Sequence, residues 1–127
     1  MTIPGDSAAS GPTSTGLPPN VAGALAYVLG PITGILFYIL ERDNRFIRFH
    51  AAQSIAVSLV LFIVGIVLGM LSAVIGAIPI IGWLVAMLVS FGLSIGSFVL
   101  WLFLMWQAYK GLEWEAPFAG VFARRMT

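Results

Sequence analysis

Residues 43–54 have the sequence Asp43-Asn-Arg-Phe-Ile-Arg-Phe-His-Ala-Ala-Gln-Ser54, a polar segment between two long apolar ones. This segment contains Arg45 and Arg48, directly follows Arg42, and holds the only histidine of the chain. Since its neighbours on both sides are strongly apolar, the place where this segment lies decides how the other segments are arranged.

The composition indicates a membrane protein. The chain has 127 residues, of which 60% are hydrophobic and 9% are charged, whereas soluble domains are about 45–50% apolar and about 25% charged. A chain this short keeps much of its surface exposed and cannot hide so much apolar surface from water. It has no cysteine, which excludes disulfides and thiol chemistry.

The apolar runs predict an all-α fold, an integral membrane helical bundle with three transmembrane helices. Residues 1–20 are rich in Ser, Thr, Gly and Pro and predict a flexible tail. A membrane domain follows at residues 21–110. Helices of about 20 apolar residues cross a bilayer core of about 30 Å, and we place the three spans at 21–40, 55–77 and 83–109.

The segment 44–54 is predicted to lead into the second span from the interfacial region. Asn44 or Asp43 can cap this helix, and a helix from Asn44 to Ile78 would measure about 52 Å, which exceeds the hydrocarbon thickness. Whether the lead-in is continuous with the span or bends along the interface stays open. Residues 111–127 are predicted to form a cytoplasmic tail with a short amphipathic, interfacial helix around Phe118 and Phe122.

The first span is expected to be kinked, with Asn20 as its N-cap. Pro31 sits in its middle and removes a backbone donor. Each span also carries a pair of glycines four residues apart, a spacing that lets helix backbones approach closely. These predicted packing residues are Gly30, Gly34, Gly65, Gly69, Gly92 and Gly96.

The distribution of Lys and Arg predicts the topology. The first loop and the C-terminal tail each carry three basic residues, whereas the N-terminal tail and the second loop carry none. The positive-inside rule then places the first loop and the C-terminus in the cytoplasm and the N-terminus outside a plasma membrane.

His50, Gln53 and Ser54 share one helix face and form the candidate polar contact face. Polar groups that enter a bilayer face protein or water, because hydrocarbon offers them no partner. One interpretation is a polar pocket or proton-sensitive point at the cytoplasmic mouth of the bundle. The other is an interfacial histidine that bonds lipid headgroups, water or a neighbouring helix.

Arg42, Arg45 and Arg48 are interpreted as contacts to lipid headgroups. Basic residues interleaved with phenylalanine can also indicate nucleic-acid binding, but three arginines beside a bilayer favour lipid as the partner. The sequence offers no metal-ligand cluster, no phosphate-binding loop and no nucleophile with its base. We therefore expect no metal, no cofactor and no enzymatic activity.

Two stretches carry a family resemblance: Leu25-Ala-Tyr-Val-Leu-Gly-Pro-Ile-Thr-Gly-Ile-Leu-Phe37 and Glu41-Arg-Asp-Asn-Arg-Phe-Ile-Arg-Phe-His-Ala-Ala-Gln-Ser54. The chain resembles small prokaryotic membrane proteins related to an import component of the chloroplast inner envelope, the Tic-twenty-like group. The resemblance covers roughly residues 20–123 and implies an all-helical membrane protein with a role near protein translocation. It supplies no catalytic residues, and the plastid relatives have four spans rather than three.

Two hypotheses for the function follow. The first is a structural or accessory subunit of a membrane complex, a homo-oligomer or a partner of other membrane proteins. The second is a protomer of an oligomeric channel or carrier with His50, Gln53 and Ser54 at its mouth.

Overall fold

The computed structural model describes residues 11–127, and the first half of the segment predicted to be a flexible tail, residues 1–10, lies outside them. Regular structure in the described part of the chain is helical throughout, which confirms the all-α prediction. The helices are α1 (Pro19–Leu25), α2 (Pro31–Leu40), α3 (Arg45–Ile75), α4 (Ile81–Tyr109) and α5 (Ala119–Met126).

Two of these helices, α3 and α4, are long and apolar enough to cross a membrane. The α3 helix runs unbroken over 31 residues, so the lead-in segment and the second predicted span are one helix. Its N-cap is Asn44, whose side-chain oxygen accepts a hydrogen bond from the Ile47 N–H at 3.1 Å. Asn44 was one of the two caps that the sequence offered.

The end of α4 also follows from local sequence. Gly111 has φ +83°, a left-handed conformation that glycine adopts without steric cost. The Leu112 N–H bonds the Gln107 carbonyl and the Gly111 N–H bonds the Ala108 carbonyl. This pair of bonds is the Schellman pattern that ends a helix and turns the chain back.

The predicted first span is not one kinked helix. It consists of α1 and α2, separated by the turn at residues 26–30. Pro31 occupies the first turn of α2, where a missing N–H costs nothing. Proline also disfavours helical geometry in the residue before it, and Gly30 there has φ +60° and ψ −121°. The prediction of three transmembrane helices is therefore not confirmed.

Asn20 does not cap the first helix, contrary to the sequence prediction. Pro18 holds the N-cap position and Asn20 lies in the first turn of α1. The Asn20 side-chain amide instead donates to the Tyr109 carbonyl at 3.0 Å, which joins the start of α1 to the end of α4.

The buried side chains gather around the first half of α3. We call residues 11–58 and 100–127 the headpiece and residues 59–99 the distal hairpin. In the described part of the chain, the largest fully buried side chains all belong to the headpiece. The α2 and α5 helices pack on α3, and α1 packs on both α3 and α4. The distal hairpin consists only of the remaining parts of α3 and α4, joined by an apolar turn.

The N-terminal tail and the first loop lie at the same end of the molecule. Glu41 accepts hydrogen bonds from the N–H groups of Ser14 and Thr15 and from the Thr15 hydroxyl. The Asn44 amide donates to the Pro12 carbonyl at 3.2 Å. Direct contacts therefore hold the tail and the first loop together in the folded chain.

Candidate functional site

The predicted polar face lies inside the headpiece. His50 and Gln53 are 0% exposed and Ser54 is 2% exposed. Their side chains form hydrogen bonds with the turn after α1 and with the chain segment that follows α4. A channel mouth would require these groups to face an aqueous path, and in this chain they face other parts of the same chain.

A chain of hydrogen bonds fixes the protonation state of His50. Its Nε2 lies 2.8 Å from the Leu112 carbonyl oxygen, which can only accept, so Nε2 carries the hydrogen. Its Nδ1 then accepts from the Tyr27 hydroxyl at 2.7 Å. The Tyr27 oxygen in turn accepts from Gln53 Nε2 at 2.9 Å. The histidine is therefore a neutral imidazole with both nitrogens occupied.

Gln53 connects this chain of bonds to the C-terminal segment. Its Nε2 also donates to the Trp114 carbonyl at 2.8 Å, and its Oε1 accepts from the Ala116 N–H at 2.9 Å. We call Tyr27, His50, Gln53 and residues 112–116 the polar clasp. Leaving a buried polar group without a partner costs about 1–3 kcal/mol, so the clasp holds residues 112–116 firmly against α3.

Aromatic rings surround the imidazole of His50. The rings of Phe46, Phe49 and Tyr27 meet it nearly at right angles, with centroids 4.7 Å, 5.2 Å and 5.5 Å away. Edge-to-face contacts of this kind are favourable and hold a ring in one orientation. Together with the hydrogen bonds, these rings make His50 a structural centre of the headpiece.

Ser54 of α3 binds the turn between α1 and α2. Its hydroxyl donates to the Gly30 carbonyl at 2.8 Å, and the Ser58 hydroxyl donates to the Ser54 carbonyl at 2.7 Å. Beside them is a small cavity of about 70 Å³ whose lining includes the side chains of Ser54, Ser58 and Ser97. The rest of its lining is mostly apolar and includes Val57, Leu61 and Leu104.

Sequence reasoning missed Tyr27 and the backbone groups of residues 112–116. Tyr27 lies in an otherwise apolar run, and a buried tyrosine hydroxyl usually needs a partner, so its presence there was a usable signal. The carbonyl and N–H groups of the C-terminal segment carry no side-chain signature. Only the path of the chain after Gly111 brings them to α3.

The predicted headgroup contacts differ in their surroundings. Arg42 and Arg45 are exposed beside the first loop. Arg48 is half-buried, since its Nη1 donates to the Tyr38 carbonyl at 3.2 Å and its guanidinium lies 4.1 Å from the Tyr38 ring centroid. Contact with lipid phosphates stays a prediction for all three.

The six predicted packing glycines fall into two groups. A Cβ added at Gly34 would lie 3.0 Å from the Ala51 carbonyl oxygen, and one at Gly30 would lie 3.2 Å from the Ser58 hydroxyl. These two glycines therefore sit where α2 approaches α3. The other four lie in the distal hairpin and have open surroundings: the nearest atom is 3.9 Å away at Gly65, and no atom of the described residues lies within 4 Å at Gly69, Gly92 and Gly96.

The α5 helix is held against α3 by small residues and by one arginine. Ala119 and Ala123 are buried, while Phe118, Val121 and Phe122 are exposed. Arg124 pairs with Glu113 at 2.6 Å and with Glu115 at 2.8 Å, and its guanidinium lies 4.1 Å from the Phe49 ring centroid. In residues 11–127 no three His, Cys, Asp or Glu side chains are grouped so that they could hold a metal ion.

Comparisons with known proteins agree with a membrane protein. Two UPF0132 membrane proteins of Methanocaldococcus jannaschii are 40% and 39% identical to this chain, over 91% and 87% of it and over 94% and 71% of their own lengths. A UPF0132 membrane protein of Archaeoglobus fulgidus is 37% identical over 84% of this chain and 92% of its own. No solved structure matches.

These relatives and the two long apolar helices show that the chain is a membrane protein. The resemblance to the Tic-twenty-like group finds no support in the comparisons. A family model matches residues 18–123, which include α1 to α4 and most of α5. The chain belongs to the magnetosome magnetite crystal formation protein family.

Proposed function

We propose that this chain is a non-enzymatic structural or accessory subunit of a complex in the cell membrane, and that it associates with further copies of itself. The observation that carries the proposal is the bare surface of the distal hairpin. Gly92 and Gly96 lie four residues apart on α4, and none of residues 11–127 occupies the space where their side chains would be. Glycines at this spacing permit close approach of a second helix.

The surroundings of these glycines support the same role. Large apolar side chains beside them are exposed in the single chain. Examples are Leu88, Ile95 and Val99, with exposed fractions of 60%, 60% and 57%. In hydrocarbon, helices associate through van der Waals packing and not through the hydrophobic effect. Glycines let two helix backbones approach closely, so a surface with paired glycines gains the most packing contact when a second helix binds. The headpiece is already packed and leaves the distal hairpin as the surface for a second copy.

The name of the family concerns magnetite crystal formation. Glu41 already accepts hydrogen bonds from Ser14 and Thr15. Glu113 and Glu115 are paired with Arg124. A supporting role in a membrane assembly, in translocation or in another process, needs no free ligand group and is compatible with the family's name.

The proposal is tested by counting copies. The full chain is placed in lipid nanodiscs of excess size, and copies per disc are measured by single-molecule photobleaching. We expect more than one copy for the natural chain and a strong shift toward one copy for the double variant Gly92→Leu, Gly96→Leu. Leucines there would hold a second helix away.

Ser90→Leu with Ser94→Leu is the matched control. These serines are also exposed on α4 and have the same spacing, but at 100° per residue they lie on another side of the helix. The control should keep the natural copy number. A natural chain that stays single at high protein-to-lipid ratio, or two double variants that behave alike, would contradict the proposal.

A further inference from the structure

The path of α1 and α2 along α3 has a direction. Gly23 of α1 lies beside Phe46 and His50, and the Tyr27 hydroxyl lies beside His50 and Gln53. Gly30 in the turn then lies beside Ser58. The chain thus advances along α3 as it passes through α1.

The chain then returns. Gly34 of α2 lies beside Ala51, and the Tyr38 carbonyl lies beside Arg48. We propose that α1 and α2 form a re-entrant hairpin, which enters the bilayer from one side, turns at residues 26–30 and comes back to the same side. The protein then has two membrane-spanning helices, and its N-terminal tail, first loop and C-terminus share one face of the membrane.

The depth of the turn fits a re-entrant element. Ser58 is the residue of α3 that lies beside the turn. The part of α3 from Arg45 to Ser58 is about 20 Å long, and the part from Ser58 to Ile75 is about 26 Å long. The α1–α2 hairpin therefore ends about halfway along α3. Neither α1, with 7 residues, nor α2, with 10, could cross a bilayer core by itself.

The broken backbone at the turn is satisfied by protein groups, which is the condition for irregular backbone at membrane depth. The Thr33 hydroxyl donates to the Ala26 carbonyl at 3.0 Å. The Trp101 indole N–H donates to the Tyr27 carbonyl, and the Ser54 hydroxyl donates to the Gly30 carbonyl. Donors from α2, α4 and α3 thus complete the bonds that the interrupted helix cannot make.

The outer surface of the hairpin fits lipid acyl chains. On α2, the side chains of Ile32, Ile35, Leu36 and Ile39 are 68%, 49%, 49% and 55% exposed. Such a row of exposed aliphatic side chains would be costly in water. In the lipid leaflet next to the headpiece it would be at no disadvantage.

The contacts near the chain ends and the positions of the basic residues indicate which side of the membrane the shared face is on. The tail contacts the first loop through Glu41, and the Tyr38 hydroxyl donates to the Met126 carbonyl near the C-terminus. Every Lys and Arg lies between residues 42 and 48 or between 110 and 125, while the turn between α3 and α4 has no charge. By the positive-inside rule the shared face is the cytoplasmic one.

The test uses the absence of cysteine from the natural chain. Single variants Ser14→Cys, Asp43→Cys and Ala77→Cys, all at exposed positions, are expressed in cells and labelled with a membrane-impermeant maleimide. Labelling is repeated on inverted membrane vesicles, and detergent-solubilised samples show that each thiol is reactive. We expect Ser14→Cys and Asp43→Cys to label only in inverted vesicles and Ala77→Cys only in intact cells.

The proposal would be overturned if Ser14→Cys were labelled in intact cells while Asp43→Cys were labelled only in inverted vesicles. The segment formed by α1 and α2 would then cross the membrane. Reporter fusions provide a second measurement. A reporter active only in the cytoplasm should be active at the N-terminus as well as at the C-terminus, and inactivity at the N-terminus alone would also overturn it. Neither result depends on whether copies of the chain associate.

Discussion

Glu41 shows how a single residue can join two parts of the chain. It is 1% exposed, and it accepts hydrogen bonds from the backbone of Ser14 and Thr15 and from the Thr15 hydroxyl. Burial by itself would raise the pKa of Glu41, but these hydrogen bonds stabilise the carboxylate more, and its pKa lies below the ordinary 4.5. The attachment of the tail to the first loop is thereby linked to pH.

The direction of that linkage can be worked out. Because the pKa of Glu41 is lower in the folded chain than in the unfolded one, its contribution is fully present above pH 4.5 and is lost as pH falls through the folded pKa. We expect the NMR amide signals of Ser14 and Thr15 to titrate with a midpoint below 4.5. Glu41→Gln should abolish this titration, whereas Asp43→Asn in the same loop should preserve it. A midpoint above 4.5 would contradict the assigned hydrogen bonds.

Among the helices, the contact of α2 with α3 depends on Gly34. A Cβ at this position would lie 3.0 Å from the Ala51 carbonyl oxygen and 3.1 Å from the Ser54 Cβ. Both contacts are closer than normal van der Waals distance, and backbone atoms of a helix cannot move aside easily. The re-entrant hairpin therefore requires the smallest side chain at this point.

This requirement predicts opposite effects for two alanine substitutions. Gly34→Ala should lower the free energy of unfolding in mixed micelles by about 1–3 kcal/mol, through overpacking. Gly69→Ala should raise it by up to about 1 kcal/mol through helix propensity, because no atom of residues 11–127 lies within 4 Å of the added Cβ. Equal effects at the two positions would show that α2 does not approach α3 as closely as described.

The sequence predicted the long helices and their ends better than it predicted the first span. Asn44 and Gly111 act through local backbone chemistry, so their roles as helix cap and helix stop could be predicted. At Gly30-Pro31 the local chemistry allowed either a kink or a full break. The choice depends on Thr33, Ser54 and Trp101, which satisfy the freed carbonyls from other parts of the fold.

The candidate site was predicted in its residues but not in its surroundings. Helix periodicity placed His50, Gln53 and Ser54 on one face, as they are in α3. Their partners Tyr27, Leu112 and Trp114 are separated from them by between 23 and 62 residues. No local pattern contains contacts over such separations, and so a buried clasp and an exposed contact face were indistinguishable in the sequence.

The whole molecule divides into a packed headpiece and a distal hairpin with few internal contacts. The headpiece contains the buried aromatic side chains, the polar clasp and every charged residue that the structure describes. The distal hairpin makes α3 and α4 long enough to cross a membrane, and it carries the exposed surface with Gly92 and Gly96. Disruption of the C-terminal segment should therefore weaken the headpiece while the two long helices stay helical.

Two truncations separate the parts played by α5 and by the polar clasp. A chain that ends at Ala116 loses the packing of Ala119 and Ala123 on α3 but keeps the hydrogen bonds of the clasp. A chain that ends at Gly111 also loses the bonds to Leu112, Trp114 and Ala116. Each of these bonds contributes about 1 kcal/mol. The free energy of unfolding of the chain that ends at Gly111 should therefore be about 3 kcal/mol lower than that of the chain that ends at Ala116.

The substitution Gln53→Leu provides the control for this comparison. In the full chain it leaves the Trp114 carbonyl and the Ala116 N–H without their partner and should cost several kcal/mol. In the chain that ends at Gly111 those partners are already absent, so the same substitution should cost much less. Unfolding midpoints in mixed micelles give the coupling as a double-mutant cycle. A cost of Gln53→Leu that is the same in both chains would show that the clasp does not hold the C-terminal segment to α3.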